Sequence, residues 1–325
     1  MRAASPIEAE QPLQQPFRKV PFFSHLMLLG LIGLFAWWLD NQPDQILLPR
    51  RTVMLRFDPV QFDPTGFAPF RLAGAWRLTA DDPRFGGVSA LAIDQDGLIA
   101  VTDAGAVIRF ARPSSSSATG EIKDLPKGPG LPGFKRHRDA EALTWDPAGR
   151  GWWVAFENHN QLWLYDRDFL RALGRIDFGR GRWPRNTGIE AMVAEPGGLL
   201  LLPEAGSSAI RVNGAQMRSR PLGNPLGRLS EAVQLPDGRV IVLARRVTLD
   251  GFRNALVPRL PGDRLGKPIA LGLGPLDNAE ALAAEPVAGG TRIWLMTDNN
   301  FRWPMRTLLV ALDLPSAPQP QIKPN

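Results

Sequence analysis

One hairpin pattern occurs five times along this chain, and it restricts the fold more than any other feature. The copies are "GVSALAIDQDGLIAVTDAG" from Gly87, "DAEALTWDPAGRGWWVAFENH" from Asp139, "GIEAMVAEPGGLLLLPEAG" from Gly188, "LSEAVQLPDGRVIVLARR" from Leu229 and "NAEALAAEPVAGGTRIWLMTDNN" from Asn278. Each is an apolar run, a glycine turn and a second apolar run ending in polar residues. Aligned on Ser89, Glu141, Glu190, Glu231 and Glu280, they recur at intervals of 52, 49, 41 and 49 residues. A period of about 40–50 residues built from short strands is the signature of a propeller blade. In the second copy, strands are expected near 140–146, 152–157, 161–166 and 172–178, each bounded by turn residues. The composition agrees, since 32 Gly and 31 Pro suit many short strands joined by turns.

The fold class read from this is all-β: a five-bladed β-propeller, with a degenerate sixth blade as the alternative and a β-sandwich of unrelated hairpins as the competing fold. Closure is expected to pair "FRLAGAWRLT" (70–79) with the last unit, whose third strand is "TLLVALDL" (307–314). That would leave only short, protected edges. The propeller domain then spans 70–314. Residues 40–69 form a linker and lead-in with a possible strand at Thr52–Phe57, and 315–325 a loose Pro-rich tail.

Upstream lies "FFSHLMLLGLIGLFAWWL" (22–39), which is 18 residues without a formal charge and close to the lower limit for a membrane-spanning helix. Trp37 and Trp38 stand where an aromatic belt would lie, and Arg18 and Lys19 precede the run. The positive-inside rule predicts a cytoplasmic tail (1–21), a single-pass anchor in the inner membrane and a domain on the periplasmic side. No small-x-small cleavage pattern follows, so the anchor is expected to stay attached. The net charge is +6, but only six of the 38 basic residues are Lys and no basic block occurs, which argues against nucleic acid as a partner. With no cysteine, disulfides and thiolate metal sites are excluded. Oligomeric state is not legible.

Residues symmetric about a hairpin turn face each other. This brings Glu141 to Glu157, Glu190 to Glu204, Glu231 to Arg245, Glu280 to Asp298 and Ser89 to Asp103. Inner strands line a propeller's channel, so Glu141, Glu190, Glu231 and Glu280 should ring its mouth, with Asp103, Glu157, Glu204 and Asp298 just outside. The loops that enter these strands are basic ("FKRHRDAEA", "GRGRWPRNTGIEA", "GRLSEA"). Those that leave are amide-rich ("ENHN", "DNN"), and His137 and His159 fall on the same face. Crowded carboxylates need a counter-charge. Either arginines and backbone amides pair with them as structural staples, or they hold a hard cation. An all-oxygen set suits Ca²⁺, with Mg²⁺ second, better than Zn²⁺. No G-x-S-x-G elbow, Walker A, H-E-x-x-H or EF-hand spacing is present.

The pieces "FGGVSALAID" with "DAG", "GIEAM" with "LLLLPEAG", and "NAEALAAE…TRIWLMTDNNF…RTLLVALDL" resemble the esterase-like, phytase-like domain of bacterial secreted and envelope proteins, over about residues 70–314. The resemblance implies a β-propeller related in fold to calcium-dependent phytases, and hydrolysis of phosphate or other esters. It implies metal ligands at Asp103, Glu141, Glu157, Glu190, Glu204, Glu280 and Asp298. Ser89 and Arg245 depart from the acidic pattern, which counts against a site for several calcium ions. The expected function is a metal-dependent ester hydrolase acting on a small-molecule ester or phosphate ester. Glu190 is expected at the catalytic centre, Arg185 or Arg245 on the phosphoryl oxygens, and His159 as a further catalytic candidate. The alternative is a non-catalytic propeller that binds a ligand or an envelope protein.

Overall fold

A computed structural model describes residues 47–130, 135–179, 188–205, 207–223 and 227–316. The chain divides after Pro43, and every element below belongs to the unit Asp44–Asn325. The apolar run 22–39, the tail 1–21 and Arg185 lie outside the described residues. Among those described, no helix is long and apolar enough to cross a membrane.

The strands are β1 (Arg51–Pro59) and β2 (Arg71–Ala80), followed by five groups in chain order. The first blade holds β3 (Val88–Asp94), β4 (Gly97–Thr102), β5 (Ala106–Phe110) and β6 (Ser117–Asp124). The second holds β7 (Ala140–Trp145), β8 (Trp152–Phe156), β9 (Gln161–Tyr165) and β10 (Ala172–Asp177). The third holds β11 (Ile189–Glu195), β12 (Gly198–Pro203), β13 (Ser208–Asn213) and β14 (Gln216–Pro221). The fourth holds β15 (Arg228–Gln234), β16 (Val240–Thr248), β17 (Gly251–Leu260) and β18 (Arg264–Leu265), with β19 (Ile269–Ala270) beside β17. The fifth holds β20 (Asn278–Val287), β21 (Gly290–Asp298) and β22 (Leu308–Pro315).

The fifth blade takes its outer strand from the start of the domain: β2 pairs antiparallel with β22, Trp76 opposite Leu309. The expected closure is therefore present, and the described residues form five four-stranded blades. Neighbouring inner strands touch in the closed cycle β3, β7, β11, β15, β20 and back to β3. The lead-in assigned to 40–69 changes character. Its strand runs Arg51–Pro59 and bridges β2 to β6, joining the fifth and first blades into one nine-stranded sheet. The folded body thus begins by Arg51, not at 70, because β1 covers two outer edges that would otherwise lack ladder partners.

Among the described residues there is no single central core. The buried apolar residues form five clusters, one between each pair of neighbouring blades. Ala90, Val101, Leu143 and Trp152 lie between the first and second blades, and Ala281, Trp294, Leu91 and Ile108 between the fifth and first. This follows from strand alternation, since successive side chains of a strand buried on both faces reach the blade on either side. A fully buried side chain such as Trp294 contributes on the order of 2–3 kcal/mol in this arrangement. The glycine turns have a steric cause. Gly197 adopts φ +83°, and a Cβ on Gly198 would lie 2.1 Å from the Val212 carbonyl oxygen.

Candidate functional site

Five inner hairpins end at one rim of the channel, and each carries an irregularity there. In β3–β4 the register slips between Val88 and Ala90, in β7–β8 between Ala140 and Ala142, in β11–β12 between Ile189 and Ala191, and in β20–β21 between Ala279 and Ala281. The extra residues are Ser89, Glu141, Glu190 and Glu280. A bulged residue leaves the ladder and its side chain is re-aimed, so these positions are set apart from the strand's ordinary alternation.

In β15–β16 the slip lies between Leu229 and Glu231. The bulged residue is Ser230, and the sequence alignment on Glu231 is one residue out of phase. Glu231 pairs with Leu243, as Ala142 pairs with Ala155. It is buried and its Oε1 accepts the Ala232 amide at 2.9 Å. Burial holds its carboxyl well above the usual range, against the pull of the Ala232 amide.

The same bulges correct the simple facing of carboxylates. Glu157 donates its amide to Asp139, Glu204 to Gly188 and Asp103 to Gly87; Arg245 stands opposite Arg228, and Asp298 opposite Asn278. The outer ring Asp103, Glu157, Glu204, Arg245 and Asp298 is therefore in register. Its direct partners are Gly87, Asp139, Gly188, Arg228 and Asn278, not the bulged residues beside them. Asp139, Arg228 and Asn278 were missed by the sequence reading. The available signal was position: each stands two residues before its blade's bulged residue.

Four of the predicted acids do come together. Ligand oxygens of Asp139, Glu141 and Glu157 lie within 4.8 Å of one another, and so do those of Glu157, Glu190 and Glu204. Glu157 links the two triads into one cluster across the second and third blades. Asp139 accepts from Asn158 Nδ2 at 2.8 Å. Burial pushes the Glu141 carboxyl well above the carboxylate range, and Glu190, Asp139, Glu280 and Glu157 push it further. Glu190 is raised likewise by burial, then by Glu280, Glu157 and Glu204, with Arg245 pulling the other way. Glu157 is pushed up to about 7 by burial and the Asp139 charge, while the Gly188 amide resists.

Glu280 has a different environment. Arg245 Nη1 donates to its Oε1, as does Asn278 Nδ2 at 2.6 Å, and Arg245 also donates to Asn278 Oδ1 at 2.7 Å. Burial still raises Glu280, but Arg245 opposes this. The Arg245 guanidinium is itself held charged by Glu280, Glu190 and Glu204, which more than offset its burial. Arg245 therefore staples the fourth blade to the fifth, and it is not an open cradle for a phosphoryl group. Arg228 is mostly exposed and donates to Glu204 at 2.6 Å. Among the described residues it is an accessible guanidinium in contact with the cluster.

The remaining candidates lie nearby. Asp103 adds its charge to the field on Glu280. Asp298 accepts the Asn300 amide at 2.6 Å. His159 packs edge-on against His137 with ring centroids 5.2 Å apart, following the Glu157 end of β8.

A profile of the phytase-like family, described as the esterase-like activity of phytase, matches residues 83–301. The chain belongs to the phytase-like family. No curated protein sequence matches it. Among solved structures it is similar to the glutaminyl cyclase of Myxococcus xanthus, at 13% identity over 76% of this chain and 97% of that one, with a TM-score of 0.50. A catalytically inactive virginiamycin B lyase from Staphylococcus aureus with quinupristin gives 11% identity, 82% and 99% coverage and a TM-score of 0.44. The first likeness supports the propeller fold of this phytase-like chain.

Proposed function

We propose that this phytase-like chain is a metal-dependent ester hydrolase, acting on phosphate esters at the carboxylate rim of its channel. The observation that carries this reading is the pair of carboxylate triads joined at Glu157. Glu190 is buried and Glu141 half-buried among other carboxylates, so the cluster must take up protons or a cation. Its donors are all oxygen, which fits Ca²⁺ and, less well, Mg²⁺. Asp139, Glu141, Glu157, Glu190 and Glu204 would hold the ion, with Glu280 kept out of the set by Arg245. Such a cation would supply Lewis-acid polarisation of the ester and activation of water.

The chain's own groups supply the rest. Arg228 is placed to orient phosphoryl oxygens at the edge of the cluster. In the metal-free protein Glu157, with its carboxyl raised to about 7, holds a proton close to neutral pH, which a bound cation would displace. The Arg245–Glu280–Asn278 staple holds the rim in shape, and His159 can contact a substrate from the second blade. Arg185 retains its expected phosphoryl-binding role as part of the proposal. The run 22–39 anchors the domain to the periplasmic face of the inner membrane, with the substrate a small-molecule ester.

A screen of the full-length chain in detergent against phosphomonoesters, phosphodiesters and carboxylic esters, with Ca²⁺, Mg²⁺ or chelator, tests this. Hydrolysis that requires the cation and fails in Glu190→Gln is expected. A wild type that shows neither turnover nor any thermal response to Ca²⁺ would favour a propeller that only binds.

A further inference from the structure

The rim on the fourth and fifth blades carries an exposed apolar surface that the hydrolase reading does not use. β16 runs past Arg245 for three further residues, and the β16–β17 turn stands beyond the ring with Val247 66% exposed and Leu249 fully exposed. The β21–β22 loop follows Asp298 at the same end and presents Trp303, 93% exposed, and Phe301. Leu276, also exposed, precedes β20 between them. The three segments are tied together: the Phe252 amide donates to Pro275 O at 2.8 Å, and Arg306 pairs with Asp277 at 2.8 Å. Exposed large side chains in one place mark an interaction surface.

Leu249, Leu276, Phe301 and Trp303 stand in turns and Val247 near the end of β16, positions from which apolar side chains can enter between lipid headgroups. Trp belongs at the membrane–water boundary. Arg246 and Arg302 are exposed beside them and have no carboxylate partner among the described residues. Exposed guanidinium groups next to inserting apolar tips complement an anionic lipid surface.

The start of the domain points the same way. β1 is antiparallel to β6, and Asp124 at the end of β6 pairs with Ala106 just after the rim. The Leu48 amide donates to Asp124 Oδ2 at 2.6 Å, so the described chain enters at the rim end of the propeller. Only the seven residues 40–46 separate Leu47 from the apolar run, a reach of about 25 Å when extended.

We infer that Val247, Leu249, Leu276, Phe301 and Trp303 seat the rim of the propeller on a lipid surface carrying anionic headgroups, so that the acidic mouth opens at the membrane. The inference rests in part on the anchor proposed above, and the two can be tested apart. The chain has no cysteine, so Leu249→Cys offers one position for an environment-sensitive fluorophore. Leu170→Cys, in the exposed β9–β10 loop at the opposite end, is the control. The full-length chain is mixed with vesicles of phosphatidylcholine with or without phosphatidylglycerol. The 249 label should shift to the blue with phosphatidylglycerol and be quenched by brominated lipid severalfold more than the 170 label. Arg246→Glu with Arg302→Glu should reduce that quenching.

Equal or absent quenching at the two positions overturns the inference. So does self-association without lipid that Trp303→Ser abolishes, since a second copy would then cover the patch. Alkaline carbonate extraction reports on residues 22–39 alone. A carbonate-resistant chain with an unquenched 249 label refutes the rim and keeps the anchor. A carbonate-soluble chain with a quenched 249 label does the reverse.

Discussion

Replacing Glu157 with Gln should make the metal-free protein more stable, and only above acidic pH. The folded-state carboxyl is raised from 4.5 to about 7. Below the unfolded value both states are protonated and the group costs nothing. As pH rises from about 4.5 to about 7 the unfolded chain releases its proton while burial and the Asp139 charge make the folded chain keep its own, so stability falls across that window and levels off above it. At 1.36 kcal/mol per pH unit the rise is equivalent to about 3 kcal/mol, and partial solvent access reduces this to about 2–3 kcal/mol. Gln removes the titration and its side-chain oxygen can still accept the Gly188 amide. In urea unfolding followed by tryptophan fluorescence, with chelator present, wild type and variant should differ by a constant below about pH 4. The variant should gain about 2–3 kcal/mol relative to wild type by about pH 8.5. With Ca²⁺ the wild type should recover, because binding to the folded state alone offsets the repulsion. A stability difference that is flat across this range would show that Glu157 is not a strained carboxylate, and the cluster would lose its need for a cation.

Glu190→Gln should leave the chelated protein folded and no less stable while abolishing its thermal response to Ca²⁺; a large drop in melting temperature in chelator would instead make Glu190 a staple. Arg245→Met should destabilise by about 3–5 kcal/mol, because it leaves Glu280 buried without its counter-charge, and Arg245→Met with Glu280→Met should recover much of this in the same urea assay. Gly198→Ala should cost at least about 2 kcal/mol, since its Cβ would overlap the Val212 carbonyl 2.1 Å away; a neutral result would mean β12 and β13 can part locally. A reporter fused after Asn325 should be active outside the cytoplasm and silent within it, and the opposite pattern would remove the anchor's assigned topology.

The repeat, the closure of β2 on β22 and the outer ring from Asp103 to Asp298 were legible in the amino-acid sequence. All three rest on local rules: side chains alternate with period two, a glycine is needed at each turn, and a strand needs a partner for its edge. The inner ring was read one residue out of phase in the fourth blade, where the bulge falls at Ser230 and not at Glu231. A bulge inserts one residue without a strong compositional mark, and its position is settled by how neighbouring strands pack. The tertiary structure alone decided which acids share a charge problem. Asp139, Glu141, Glu157, Glu190 and Glu204 gather across two blades, whereas Glu280 is neutralised by Arg245 from a third. A carboxylate's electrostatic energy depends on the charges within a few ångströms of it and on its burial. Those neighbours come from chain segments about fifty residues apart, and only the closed ring brings them within reach.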